Sequence, residues 1–242
     1  MIKRLTDILL AIFLLIFISP ILLIFSFLIW LDDKSNPIYV AKRIGKDGME
    51  FNFYKLRSMI INADASGVDS TSASDNRITS IGKLIRKFKI DELPQLWHVL
   101  TGKMSFVGPR PNIWNDVKIY TEVEKKLLSV KPGITDFSSI IFSDEGEILS
   151  GFEDPDLKYN QLIRPWKSRL GLFYIKKRSF LLDTLLISVT LIAIFKKKIA
   201  NNCVVKILEY YNADIDLIKV CKRDKVLEPY PPPGSKEIVK ER

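Results

Sequence analysis

Residues 8–31, ILLAIFLLIFISPILLIFSFLIWL, form the stretch that determines how this chain meets a membrane. Its 24 positions contain no charged residue and are nearly all Leu, Ile or Phe. As a helix the stretch is roughly 36 Å long, enough to cross a hydrocarbon core of about 30 Å. We expect no cleaved signal peptide, because the apolar run is too long and no small-residue cleavage site follows it. The sequence therefore predicts a membrane helix over residues 1–34.

Ser19-Pro20 interrupts the middle of this run. An interior proline removes one helical hydrogen bond and kinks the helix, and each half, about 18 Å long, is too short to span alone. Basic residues flank the run on both sides: Lys3, Arg4, Lys34, Lys42 and Arg43. Because basic flanks favour the cytoplasm, a re-entrant helix that breaks at Ser19-Pro20, with Ser19 capping a freed carbonyl, satisfies both constraints. A kinked helix that crosses the bilayer is the alternative.

Residues 35–198 are predicted to form a compact α/β domain that is rich in helix. Its expected elements are a strand pair joined by a Gly-containing hairpin turn, a polar loop and two amphipathic helices. In chain order these are the strand Pro37–Val40, the turn Gly45–Gly48, the strand Phe51–Tyr54, the loop 62–76 and helices over 79–88 and 112–129.

Residues 180–195 form a second apolar stretch, with basic triplets on both sides. Its sixteen positions are too few to cross a bilayer comfortably, so a helix lying at the headgroup level is weighed against a buried core helix. Residues 199–242 are a C-terminal extension. Its part Val204–Leu227 is predicted to form a small strand-and-helix unit, and the proline-rich end from Pro229 is expected to be extended.

The composition limits the available chemistry. Among 242 residues there are 37 Lys or Arg and 28 Asp or Glu, and the resulting net charge of +9 suits an anionic partner. The only histidine is His98, which excludes His-rich metal cages and H-E-x-x-H zinc chemistry. Cys203 and Cys221 match no zinc motif and do not make a disulfide framework. Catalysis must therefore depend on carboxylates, lysines and arginines.

Adjacent carboxylates at Asp91 and Glu92 precede Pro94, which suits the first turn of a helix. The positive end of that helix is expected to lower a carboxylate pKa and keep the group ionised, as a nucleophile or a Mg²⁺ ligand requires. An acidic helix start without catalytic function is the alternative. His98 lies on the helix that follows and is expected to be packed or hydrogen-bonded rather than catalytic.

A second polar segment, Gly102–Pro111, holds Arg110 between two prolines. A guanidinium held in this way suits phosphate binding, and a rigid surface turn is the alternative. Lys55 and Arg57 share one face at the end of a predicted strand. Together with the membrane segment and the acidic pair, these cations indicate transfer of a phosphate-linked group at a membrane surface.

Seven blocks of sequence occur in an order that is characteristic of one family: Lys3-Arg4, Ser19-Pro20, Arg43–Gly45, Tyr54–Met59, Asp91–Trp97, Met104–Pro111 and Lys131–Thr135. The chain resembles, over about residues 1–195, the bacterial sugar transferases, which are small monotopic phosphoglycosyl transferases that begin lipid-linked glycan synthesis. The resemblance implies a re-entrant anchor, interfacial helices and a catalytic domain on the cytoplasmic face of the bacterial inner membrane.

The resemblance also implies a reaction. A sugar-1-phosphate passes from a UDP-sugar to polyprenyl (undecaprenyl) phosphate in the presence of Mg²⁺, giving polyprenyl diphosphate sugar and UMP. By resemblance, Asp91 is the nucleophile, which forms a covalent phosphosugar intermediate and contacts Mg²⁺ together with substrate phosphates, and Glu92 is its dyad partner. The substrate-binding residues that the resemblance implies are Lys55, Arg57, Arg86, Pro109 and Arg110. The expected partners are the two substrates and the lipid bilayer, and a homo-oligomer is compatible with the sequence.

Three places in the chain depart from the family pattern. Lys103 stands where an Asp is usual, Asp136 stands where a Gly is usual, and Phe137–Ser139 replaces a commoner Ala-Gln-Val sequence. The loop that contains Asp136 is expected to border the sugar pocket, so the identity of the donor sugar does not follow from the resemblance.

Two other classes of function compete with the enzyme. One is a non-catalytic basic scaffold at a membrane surface. The other is a membrane-anchored nucleic-acid-binding module, which would need basic residues interleaved with stacking aromatic residues on one face. The basic runs here flank apolar helices instead, so we expect no nucleic-acid partner.

Overall fold

The apolar run of residues 8–31 lies within one helix, α1 (Ile2–Asp33). The predicted break at Ser19-Pro20 is not present, since the helix continues through Pro20. Pro20 has no N–H to donate to the Ile16 carbonyl four residues earlier, and the Ser19 hydroxyl donates to that carbonyl at 3.0 Å. Ser19 therefore has its expected capping role, and this substitute hydrogen bond lets the helix continue.

The computed structural model describes residues 2–67, 70–72 and 75–241, and α1 leads into a helix-rich domain. Its α-helices are α2 (Ser80–Lys87), α3 (Leu96–Leu100), α4 (Trp114–Val117), α5 (Phe137–Ile141), α6 (Glu145–Ile148), α7 (Pro155–Lys158), α8 (Arg164–Lys177), α9 (Phe180–Phe195), α10 (Lys197–Tyr210) and α11 (Ile215–Lys222). The 3-10 turns are Lys46–Gly48, Ala63–Ser66, Ile90–Gln95 and Glu124–Ser129, and Tyr159–Ile163 is a π-turn. Positions 68, 69, 73 and 74 of the predicted polar loop lie outside the described residues.

Two small sheets support the domain. Strands β1 (Ile38–Ile44) and β2 (Glu50–Leu56) pair antiparallel, with Ile44 opposite Glu50, which confirms the predicted hairpin. Strands β3 (Ser105–Val107) and β4 (Gly133–Thr135) pair parallel. Gly108 and Gly133 let the backbones meet beside this pair, because a Cβ on Gly133 would lie 2.1 Å from the Gly108 nitrogen. The glycines thus hold the Arg110 segment against the segment that contains Asp136.

The single helix predicted over 112–129 is wrong, because the chain forms α4 and then a separate 3-10 turn. Thr121 and Glu124 start the second element by capping each other. The Thr121 N–H donates to Glu124 Oε2 at 3.1 Å, and the Glu124 N–H donates to the Thr121 hydroxyl at 3.1 Å. This reciprocal capping box starts a new helical element within residues 112–129, which apolar periodicity alone predicts to be one helix.

The C-terminal helices complete the core. The predicted helix 180–195 is confirmed as α9, and its buried Leu182 and Leu186 support the core interpretation. Phe180 and Phe195 are exposed, and a position of this helix at the headgroup level stays a prediction. No strand forms in Val204–Leu227; α10 and α11 occupy most of it instead, because the apolar residues of this segment recur at helical spacing and pack on the core. The end of the chain is extended as expected and lies along α8, where the Tyr230 ring packs 4.4 Å from that of Trp166.

Candidate active site

The acidic pair lies in the 3-10 turn Ile90–Gln95, which links α2 to α3. Lys89 precedes this turn with a left-handed backbone, φ 58°, so the chain bends sharply after α2. Asp91 and Glu92 occupy the first turn of the segment, and Pro94 lies inside it. The predicted position of the two acids at a helical start is therefore confirmed.

Two cations from distant segments hold the Glu92 carboxylate. Arg110 donates Nη1 to Glu92 Oε2 at 3.0 Å and Nη2 to Oε1, and Lys55 donates Nζ to Oε1 at 3.3 Å. Burial alone would raise the pKa of Glu92, but Arg110 and Lys55 hold it well below its usual range. Glu92 is therefore ionised, and both of its oxygens already have partners.

The Asp91 carboxylate has a different environment. Asp91 is 5% exposed, and within the part of the chain that the structure describes its Oδ1 is buried without a hydrogen-bond partner. Burial raises the pKa of Asp91 even though the nearby Lys55 charge opposes the change. The expectation that the helical start lowers this pKa is wrong, because the loss of hydration outweighs the local positive charge. Asp91 is thus the carboxylate of the pair that has an unpaired oxygen and a poorly solvated anion.

The structure does not bring all of the predicted cations to this cluster. Arg57 lies just beyond β2 and donates Nη2 to Asp33 Oδ1 at 2.7 Å and Nε to the Asn36 carbonyl at 2.9 Å, so it ties the domain to the end of α1. Arg86 has no hydrogen bond among the described residues, but its charge acts to lower the pKa of Asp91. The Pro109 carbonyl accepts from the Gly133 N–H at 3.0 Å and so fixes the segment that presents Arg110.

Two buried polar residues follow the acidic pair. The Tyr54 N–H donates to His98 Nε2 at 3.0 Å, and burial together with Lys103 lowers the pKa of His98 to about 4. The expected packed, hydrogen-bonded histidine is therefore confirmed. Gln95 was not singled out from the sequence, yet it is fully buried and neither amide atom has a partner among residues 2–67, 70–72 and 75–241. Its spacing of four residues from Asp91 is the signal that could have found it.

Asp91 and Glu92 do not form a complete metal site by themselves. Within the described ranges, no group of three or more His, Cys, Asp or Glu residues could hold a metal ion. Because both Glu92 oxygens bind cations, Asp91 supplies the carboxylate of the pair that is available to a ligand. Its Oδ1 is buried, and among the described residues neither of its oxygens has a hydrogen-bond partner. One oxygen does not form a complete site, but it fits Mg²⁺ that is bound mainly by substrate phosphates.

A cleft adjoins the cluster, because Arg110 lines it as well as binding Glu92. Its lining is partly apolar, and its other polar groups include Tyr159, the loop at Asp136 and the start of α8. Asp136, which departs from the family pattern, therefore lines this cleft.

Comparison with known proteins gives consistent matches. Residues 1–197 match a family described as "Bacterial sugar transferase". A Bacillus subtilis (strain 168) protein, provisionally named an undecaprenyl-phosphate N-acetylgalactosaminyl 1-phosphate transferase, is 44% identical over 134 residues, 55% of this chain and 71% of that protein. The uncharacterized sugar transferase EpsL of the same strain is 36% identical over 78% of this chain and 84% of its own length.

A longer relative also matches. The UDP-N-acetylgalactosamine-undecaprenyl-phosphate N-acetylgalactosaminephosphotransferase of Aeromonas hydrophila is 33% identical over 193 residues. That match covers 78% of this chain but only 43% of the Aeromonas protein, so the chain spans less than half the length of that relative.

Proposed function

Because the chain belongs to the bacterial sugar transferase family and is a sugar-phosphate transferase, we propose that it moves a sugar-1-phosphate from a UDP-sugar to polyprenyl phosphate. The observation that carries the proposal is the environment of Asp91, a buried carboxylate with an unpaired oxygen beside an acid held by two cations. The names of relatives that act on UDP-sugars and undecaprenyl phosphate support the same donor and acceptor.

The reaction proceeds in two displacements at one phosphorus atom. An Asp91 oxygen forms a bond to the phosphorus that carries the sugar, and the bond from that phosphorus to the bridging oxygen breaks, so that UMP leaves with the electron pair. A phosphate oxygen of the lipid then attacks the same phosphorus, the bond to Asp91 breaks, and the carboxylate is restored. The products are UMP and polyprenyl diphosphate sugar, and an enzyme that uses one site for both substrates has ping-pong kinetics.

The two carboxylates, Asp91 and Glu92, have different roles in this reaction. Burial makes the Asp91 anion less stable in the free enzyme, which favours its attack on an electrophile. Glu92 neutralises part of the charge of Lys55 and Arg110 and holds both cations in place. Once the donor is bound, its phosphate oxygens compete for these cations, so the arrangement screens the charge that builds up on the leaving group.

We also propose that the donor is bound with Mg²⁺. Mg²⁺ supplies charge neutralisation of the diphosphate and polarises the phosphoryl group that is attacked. The residue that fits it is Asp91, through whichever carboxylate oxygen does not attack, with the remaining ligands coming from phosphate and water.

The contacts of α1 support a membrane anchor whose two ends lie on one face. We propose that this is the cytoplasmic face of the bacterial inner membrane, which the basic residues on both sides of the apolar run favour. Near its start, Asp7 accepts from the Ser105 hydroxyl at 2.8 Å. At its end, Asp33 pairs with Arg57, and Ile29 packs into a cluster with Leu56 and Ile85. A helix that crossed the bilayer would place these ends on opposite sides of the membrane, yet the same domain contacts both.

The test is to follow UMP formation from a panel of UDP-sugars with undecaprenyl phosphate and Mg²⁺ in detergent or vesicles. We expect UMP and lipid diphosphate sugar in equal amounts, and a substoichiometric release of UMP when the lipid is left out. Release of UDP instead would indicate ordinary glycosyl transfer and overturn the proposal. A scaffold protein, the competing class, would release neither nucleotide.

A further inference from the structure

The cleft that Arg110 lines has polar groups that the proposed reaction does not use. The residues relevant here are Arg110, Asp136, Ser138, Tyr159, Arg164 and Lys167. They come from three separate segments: the one before α4, the loop that opens α5, and the π-turn Tyr159–Ile163 with the start of α8. Such π-turns are frequent at functional sites, because they re-aim side chains that a regular helix would place elsewhere.

Tyr159 and Arg164 present unpaired polar atoms in this cleft. Tyr159 is 7% exposed, and its hydroxyl has no hydrogen-bond partner among the described residues. Arg164 is 1% exposed, and it donates Nη1 to Asn160 Oδ1 at 2.8 Å and Nη2 to Glu124 Oε2 at 3.3 Å. Its Nε has no hydrogen-bond partner in the described part of the chain. The Arg164 Nε is a buried donor without a partner, which is costly, and the Tyr159 hydroxyl is free to bond a ligand, so a ligand with hydrogen-bonding groups gains affinity here.

Asp136 contributes an acceptor to the same cleft. It is buried and caps α5, accepting from the Ser139 N–H at 2.7 Å. Its Oδ2 accepts from the Ser138 hydroxyl at 2.8 Å, which leaves capacity for a further hydrogen bond on that oxygen.

The charges of the cleft are nearly balanced. Arg164 pairs with Glu124, Lys167 pairs with Glu145 and Arg110 pairs with Glu92, while Asp136 adds a negative charge. A cleft that combines paired cations with an extra carboxylate does not favour a second phosphate group. A lipid chain would leave the buried Asp136 carboxylate and the Arg164 Nε without a new partner, so the polar part of the lining does not favour it. Donors and acceptors beside the faces of Tyr120 and Tyr159 suit a neutral ring that carries hydroxyl groups.

We propose that this cleft binds the sugar ring of the donor, and that Tyr159 and Asp136 determine which sugar is accepted. The inference rests on the proposed function, because the phosphorus that Asp91 attacks carries the sugar. Arg110 connects the two sites, since it lines the cleft and also binds Glu92 of the acidic pair. Tyr159 donates its hydroxyl to a ring substituent, and Asp136 Oδ2 accepts from a second one. A site built from such groups discriminates strongly between epimers, because the wrong epimer leaves them unpaired.

The experiment compares Tyr159→Phe, which keeps the ring and removes only the hydroxyl, with the wild-type chain. UMP release is measured with UDP-N-acetylgalactosamine, UDP-N-acetylglucosamine, UDP-galactose and UDP-glucose, and inhibition by UMP is measured separately. We expect kcat/KM for the preferred donor to fall about tenfold and its ratio over the C4 epimer to fall severalfold, with unchanged inhibition by UMP. Asp136→Asn, which retains the cap, is expected to change the same ratio. Tyr211→Phe, in a half-buried tyrosine outside the cleft, is the matched control and should change neither value.

Each outcome decides between the proposals. An equal fall in kcat/KM for all four donors would show that the cleft does not select the sugar. Weaker inhibition by UMP would show that the cleft binds the nucleotide instead. If the wild-type chain converts the donors to UMP but the epimer ratio is the same in both variants, the inference fails while the proposed function stands. If no donor yields UMP, the proposed function fails and the inference fails with it.

Discussion

Arg110 binds both carboxylate oxygens of Glu92, although 18 residues separate them in the chain. The contact joins the 3-10 turn that contains the acidic pair to the segment that follows β3. It occupies one acid and leaves the adjacent acid, Asp91, with an unpaired oxygen. Two neighbouring carboxylates therefore acquire different roles from tertiary contacts, this one and that of Lys55 with Glu92.

Arg110→Lys tests this two-pronged contact. A lysine keeps the charge but cannot bind both oxygens in one plane, so we expect the transfer rate to fall at least about 100-fold with only modest loss of stability. UMP release and thermal unfolding are measured together. Arg223→Lys, at a pair with Asp144 remote from the acidic turn, is the control. Near-normal turnover of the Arg110 variant would show that charge alone suffices there.

Asp91→Asn separates catalysis from stability. Because burial raises the pKa of Asp91, its ionised form destabilises the folded chain at neutral pH, and the neutral amide removes that cost. We expect UMP release to disappear while the melting temperature stays the same or rises. Asp47→Asn, at an exposed residue in the β1–β2 turn, should leave both unchanged. Substantial transfer by the Asp91 variant would eliminate it as the nucleophile, as would a phosphosugar adduct trapped on another residue.

The raised pKa of Asp91 also predicts opposite pH trends for stability and activity. The folded-state pKa lies above the ordinary value of 3.8, so the protonated group contributes stability that is complete below that value and is lost as the pH rises through the folded pKa. The free energy of unfolding of the wild type minus that of Asp91→Asn should therefore decrease with rising pH. The transfer rate, which needs the anion, should increase over the same range. A difference that grows with pH would contradict the assigned environment.

The topology of α1 predicts a labelling pattern. With Cys203 replaced by Ser, single cysteines at Ile2 and Asn36 should both react with an impermeant maleimide in inside-out vesicles and both be protected in right-side-out vesicles. Cys221 should stay silent, because burial raises its thiol pKa to about 12. Reaction of the two positions from opposite sides would establish a spanning helix.

Pro20→Ala extends the same measurement. Alanine restores the N–H that donates to the Ile16 carbonyl, so the helix no longer depends on the Ser19 hydroxyl there and is better suited to cross the bilayer. We expect a fraction of this variant to expose its two ends on opposite faces of the membrane. A labelling pattern identical to that of the wild type would mean that the domain contacts alone hold the ends together.

Local patterns were enough to predict several features. The β1–β2 hairpin follows from alternation and a glycine turn, α9 and α2 follow from apolar spacing, and the packed state of His98 follows from its place on an apolar helix. The acidic pair and Arg110 could be named as candidates because their residue types and spacing suit phosphate chemistry. These features depend on neighbours within a few positions, which a linear sequence displays directly.

Other features depend on distances between segments that are far apart in the chain. Arg57 and Lys55 lie at the same strand end, so the sequence assigns both to the acidic cluster. In the folded chain, α1 places Asp33 beside Arg57, and Arg57 pairs with Asp33 instead of with the acidic cluster. The pKa of Asp91 rises rather than falls because the packing around it excludes water. The local sequence thus determines which groups are available for chemistry. The solvation and pairing of those groups decide what each one does, and they arise only when distant segments fold together.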